Sequence, residues 1–100
     1  PPLGELALLD EPGFRTYFSG SPIKRIGRDR FLRNVLIAIG NSAESSLAAV
    51  AREHLPDPSS QVRGAAVWAL RELLPTGEFA AERDRHLPSE RDPAVVAEWA

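Results

Sequence analysis

Between Lys24 and Arg33 the chain sets five cations, Lys24, Arg25, Arg28, Arg30 and Arg33, within ten positions, with Asp29 as the single acid among them. The chemistry open to such a run is anion binding, and phosphate above all, because a guanidinium fork matches its oxygens bidentately. Ser21 and Asn34 flank the run and add neutral hydrogen-bonding groups. The formal net charge of the chain is −2, yet residues 20–34 carry a local net of +4, which leaves −6 for the other 85 residues. Cations at a helix start oppose the macrodipole at about 0.3–1 kcal/mol each. An anionic partner accounts for that cost, since it would meet both the side chains and the free N–H groups of a helix start. The competing explanation is a solvated face, or ion pairs with acids elsewhere in the chain.

Other chemistry is thinly represented. The chain has no cysteine, which excludes disulfides, thiolate metal sites and a thiol nucleophile within it. His54 and His86 stand 32 positions apart without a supporting ligand cluster, so no metal site is expected. No Ser, His and acid set suggests a hydrolase, and no glycine-rich phosphate loop is present. No residue is expected to be catalytic. No apolar run approaches 18 residues, so no membrane helix is expected. The chain begins Pro1-Pro2-Leu3 rather than with Met, and the expectation is a piece of a longer protein.

The elements that must position the cations follow from punctuation and periodicity. The chain is 100 residues long with 43% hydrophobic residues, enough for one small domain with a packed core. Proline and glycine separate segments rich in Ala, Leu, Arg and Glu, and nothing alternates with period two, so the expected fold is all-α. Gly27 is expected to break the helix pattern that starts at Ser21-Pro22. From Arg28 onward, Phe31, Leu32, Val35, Leu36 and Ile39 form a core stripe, with Arg30, Arg33 and Asn34 on the opposite side. Asn41 with Glu44 resembles a capping box for a helix over about 43–54. Asp57-Pro58 offers an N-cap and a first-turn proline for a helix carrying Val62, Ala66, Ala69, Leu70 and Leu73 on one face. A shorter helix follows over 79–87, and Asp92-Pro93 starts a last one with Val95, Val96 and Trp99. Leu36, Ile39, Leu47, Val50, Val62, Ala66, Leu70 and Leu73 are the expected core. Trp68 lies opposite the main apolar stripe of its helix, near Gly64, and is expected to pack on the next hairpin, with base stacking as its functional alternative. Arg63 is expected to pair with an acid or a loop carbonyl between repeats, and Glu53, Glu72, Glu82 and Asp84 to be solvated.

Leu32-Arg33, Val62-Arg63 and Val95-Val96 lie 30 and 33 positions apart, each opening a helix. A helical-hairpin period of this size marks an α-solenoid, and "DPSSQVRGAAVWALREL" looks like a HEAT-type repeat. The expected organisation is a lead-in segment with a short helix over 1–19 and a HEAT-like repeat domain over 20–100.

The block "FSGSPIKRIGRDRFLRNVLIAIGNS" resembles the epoxyqueuosine reductases, and the repeat after it is similar to the HEAT-like repeats that follow in that family. The resemblance runs from about Phe14 to the end. It implies a cytoplasmic reductase that uses cobalamin and two [4Fe–4S] clusters to convert epoxyqueuosine to queuosine in tRNA. With no cysteine here, the catalytic and cluster-binding domains are expected upstream, and no cofactor is expected in this chain. The resemblance implies tRNA as partner, with Ser21, Lys24, Arg25, Arg28, Arg30, Arg33 and Asn34 as the phosphate grip. The rival reading is a HEAT-like adaptor that binds an acidic protein through the same cations.

Overall fold

In a computed structural model of the chain, residues 3–4 and 27–100 are described. The described residues form helices and turns and include no strand. Residues 27–100 hold five α-helices, α1 (Arg28–Asn41), α2 (Ala48–Glu53), α3 (Ser60–Leu73), α4 (Thr76–His86) and α5 (Pro93–Trp99), with 3₁₀ turns at Ser45–Leu47 and Leu87–Ser89. The lead-in segment, its expected helix and the boundary at residue 20 lie outside the described residues, apart from Leu3 and Gly4.

The break at Gly27 is as expected. Its φ of 89° and ψ of 158° fall in a region open essentially to glycine alone, so α1 starts cleanly at Arg28. Leu32, Val35, Leu36 and Ile39 are buried on one face, Phe31 is half-buried, and Arg30, Arg33 and Asn34 are exposed on the other.

The capping box does not form. Asn41 is still inside α1, and no side chain caps the 3₁₀ turn that follows. Ser42 does the local work instead: its hydroxyl donates to the Ile39 carbonyl at 2.6 Å and accepts from the Glu44 N–H at 3.1 Å. Ala43 turns the chain with a φ of 59°, and α-helix resumes only at Ala48. Leu47 and Val50, expected in the core, are consequently half-buried against it.

Helix α3 is the centre of the molecule. It packs mainly against α1, then α5 and α2, and lightly against α4. Val62, Ala65, Ala66, Val67, Ala69 and Leu70 are all buried, a wider belt than the single expected stripe, because neighbours lie on several sides. Leu73 sits at the edge and is half-buried. Its N-cap is Ser59, whose hydroxyl accepts from the Val62 N–H at 3.4 Å. The expected Asp57-Pro58 cap is therefore displaced by two residues, with Pro58 outside the helix. Asp92 does cap α5, accepting from the Ala94 and Val95 N–H groups at 2.9 and 3.2 Å, with Pro93 in the first turn. Trp99 is fully buried, tilted against Phe79 with ring centroids 5.4 Å apart.

Candidate nucleic-acid interface

The structure divides the cations of α1 into two kinds. Arg28 opens the helix and turns inward. Its Nη2 donates to Asp57 Oδ1 at 2.5 Å and its Nη1 to Asp57 Oδ2 at 3.2 Å, with a further bond to Asp29 at 3.0 Å. The Arg28 side chain is 17% exposed and that of Asp57 4%. Burial pushes the Asp57 carboxyl up, but Arg28, the Ser59 N–H and His54 together hold it below its ordinary value. The same bonds to Asp57 hold the Arg28 guanidinium firmly protonated. This pair ties the start of α1 to the turn before α3. Arg28 is thus removed from the expected phosphate grip, because a buried carboxylate already occupies its fork.

Arg30 and Arg33 are the other kind. Both are exposed, and neither pairs with an acid among the described residues; Arg33 only donates to the Asn34 amide oxygen at 3.4 Å. Arg28, Arg52, Arg63, Arg71 and Arg85 all bind carboxylates. Arg83 and Arg91 share the unpaired state but sit on α4 and on the turn before α5. Ser21, Lys24 and Arg25 lie outside the described residues.

The remaining charges hold turns together. Arg63 grips Glu90 with two bonds of 2.9 and 3.0 Å and donates to the carbonyls of Asp57 and Pro58, which is the expected role between repeats. Its bonds hold the Glu90 carboxyl below the ordinary range. Glu82, expected in solvent, is buried: Arg52 at 3.3 Å, Arg85 at 3.0 Å and His86 at 3.4 Å surround it. Arg85 and His86 stand three and four positions along the same helix, a local pattern, but Arg52 lies 30 positions upstream and nothing local announces it. Glu53, Glu72 and Asp84 are exposed as expected. His86 also stacks on Trp99, with ring centroids 6.1 Å apart. No group of three or more His, Cys, Asp or Glu among the described residues is placed to hold a metal ion.

Beside Arg33 runs a groove of about 360 Å³, walled by α1 and α5 and floored by α3. Arg33 and Ile37 line one side, Ala94, Val95 and Glu98 the other, and Gly64, Ala65 and Trp68 the base, with Ser60 and Gln61 at the end nearest the start of α3. Trp68 does not wait for the next hairpin. Its six-membered ring lies on Gly40 of α1, so closely that a Cβ there would fall 2.4 Å from Cζ3. The sequence offered both partners of this contact but no sign that they meet.

The chain is similar to epoxyqueuosine reductase of Xanthomonas campestris pv. campestris, 42% identical over 71 residues that cover 68% of this chain and 19% of the relative. It is also similar to that of Alicycliphilus denitrificans, 36% identical over 76 residues covering 68% and 21% of the two chains, and that of Pseudomonas aeruginosa, 36% identical over 70 residues covering 69% and 19%. This chain is related to the epoxyqueuosine reductases. It spans about a fifth of the length of these curated relatives. No family model and no solved structure matches it. The resemblance expected from the block around the cations is thus borne out over two thirds of the chain. No described helix is long and apolar enough to cross a membrane.

Proposed function

We propose that this chain is the tRNA-binding helical domain of a cytoplasmic epoxyqueuosine reductase, which reduces epoxyqueuosine to queuosine in tRNA. Helix starts at residues 28, 60 and 93, with α3 packed between α1 and α5, support a HEAT-like stack of hairpins. The catalytic part, with cobalamin and two [4Fe–4S] clusters, belongs to other domains of the protein. Iron–sulfur clusters take thiolate ligands, and a chain without cysteine does not fit them.

The observation that carries the reading is the pair Arg30 and Arg33, exposed on one helix face without an acidic partner in a relative of a tRNA-modifying reductase. They act as phosphate contacts that position RNA without reading its sequence. Lys24, Arg25 and Ser21 extend the same grip toward the N-terminus, and Asn34 adds a neutral contact.

The test is a tRNA titration of the full-length protein at several salt concentrations. Arg30→Ala with Arg33→Ala should weaken binding and flatten the slope of log K against log salt by about 1.4–1.8 for two lost contacts. Arg28 is left intact, because its loss would break a structural ion pair. An unchanged affinity and slope would show these cations to be a solvated face.

A further inference from the structure

Gly40 and Gly64 each face a neighbouring helix, and they have different reasons to be there. Gly40 is a steric necessity, since a Cβ would strike the Trp68 ring at 2.4 Å and come within 3.1 Å of the Ala69 backbone. Gly64 has no such reason. A Cβ there would meet Val95 Cγ2 at 3.8 Å and Glu98 Cγ at 3.9 Å, which are ordinary contacts, and its φ is not positive. A mid-helix glycine costs helix stability relative to alanine. What Gly64 does is keep the groove floor flat between Trp68 and α5.

The groove sets an apolar base beside free polar groups and one unpaired cation. Its base of Gly64, Ala65 and Trp68 is mostly apolar, and Ala94 and Val95 continue that surface up the α5 wall. The Ser60 hydroxyl, the Gln61 amide and the Trp68 indole N–H make no hydrogen bond to any described residue. The one acid on its wall, Glu98, is engaged by Arg71 at 3.7 Å, while Arg33 on the opposite wall has no acid. The volume falls in the range of about 300–1,000 Å³ usual for small-ligand sites.

We propose that this groove seats one unpaired nucleobase of the RNA against Trp68, while the flanking phosphate rests on Arg33. The proposal rests on the RNA-binding reading above and adds a base-stacking site to a phosphate grip. Base stacking on an aromatic side chain tolerates any base, so the site favours single-stranded loop over duplex without selecting sequence. An apolar peptide side chain would leave Arg33 and the free hydrogen-bonding groups unused.

The probe is an RNA stem-loop bearing 5-iodouridine in its loop, irradiated in complex with the full-length protein and mapped by mass spectrometry. The expected adduct is Trp68, on the tryptic peptide 64–71. In parallel, Gly64→Leu fills the groove without touching a cation. It should weaken stem-loop binding by roughly 5- to 150-fold, the equivalent of one lost stack, and leave the salt slope unchanged. Gly64→Ala, which adds a single methyl, reports on folding and should bind nearly as the parent does. If Arg30→Ala with Arg33→Ala weakens binding but Gly64→Leu does not, and no adduct forms at Trp68, the groove proposal is overturned and the phosphate reading stands. If neither set of variants weakens binding, both fail. Protection of Trp68 by polyglutamate as effective as that by RNA would assign the groove to an acidic peptide and overturn the proposal.

Discussion

The contrast between Gly40 and Gly64 makes a prediction of opposite signs from one chemical change. In Gly40→Ala the new methyl lies 2.4 and 2.9 Å from Trp68 Cζ3 and Cε3 and 3.1 Å from Ala69 Cα. The indole ring can swing, but the α3 backbone cannot withdraw without disturbing the packing of α1 on α3. Overpacking of this kind costs about 1–3 kcal/mol. The gain from replacing a helical glycine is at most about 1 kcal/mol, and Gly40 is the second-last residue of α1, where that gain is smallest. A net loss of about 1–2 kcal/mol follows, or a fall in Tm of about 4–16 °C for a domain of this size. Gly64→Ala meets nothing closer than 3.8 Å and sits inside α3, so it should gain about 0.5–1 kcal/mol. Thermal melts by circular dichroism, with urea titrations to confirm the two-state ranking, decide the matter. Trp68→Leu should relieve much of the Gly40→Ala penalty in a double-mutant cycle, because the colliding ring is gone. Equal stability of the two alanine variants, or additive behaviour of Gly40→Ala with Trp68→Leu, would refute the account of how Trp68 is seated.

Two more predictions concern stability. Leu70→Ala removes a fully buried side chain of the central helix and should cost about 2–5 kcal/mol in urea unfolding; a loss under about 0.5 kcal/mol would show that α3 does not centre the core as described. Asp57 has a folded-state pKa below its usual 3.8, so its stabilisation is present at neutral pH and is lost as pH falls from about 4 through the folded value. Asp57→Asn should therefore lower stability by about 3 kcal/mol at pH 7, as expected when a largely buried ion pair loses its carboxylate. It should also show a shallower loss on acidification than the parent, and parallel pH profiles would refute the role given to the Arg28–Asp57 pair.

How far the sequence disclosed this molecule depended on the range of the interactions involved. The core stripe of α1, the break at Gly27 and the Asp92-Pro93 start of α5 are set within one or two turns, so periodicity and capping chemistry reveal them. The box at Asn41 and Glu44 failed although it is equally local, because its pattern overlaps the end of α1 and the Ser42 hydroxyl satisfies the N–H that a cap would serve. The widened buried belt of α3 was invisible, since the number of helices packed around it is not written in its own sequence. Trp68 followed the same rule: its seat is a glycine 28 positions upstream.

The cations show most clearly why the site was only half legible. Lys24, Arg25, Arg28, Arg30 and Arg33 read as equivalents, since charge and helical phase were all that distinguished them. What separates a structural arginine from a ligand-binding one is whether a carboxylate reaches it, and for Arg28 that carboxylate stands 29 positions away in the turn before α3. One local clue was available. The Asp57-Pro58 turn has the pattern of a helix cap, but an aspartate relieved of that duty by Ser59 is free to accept a guanidinium. The same logic places Arg63 with Glu90, ahead of the next Asp-Pro turn. The turns before α3 and α5 thus each recruit an arginine from an earlier helix, which engages Arg28 and Arg63 as structural ties. No carboxylate among the described residues reaches Arg30 or Arg33, both exposed, so they remain available to an external anion. Among the described residues the run thus holds both paired and unpaired arginines, and what divides them is whether a carboxylate from a distant turn comes within reach.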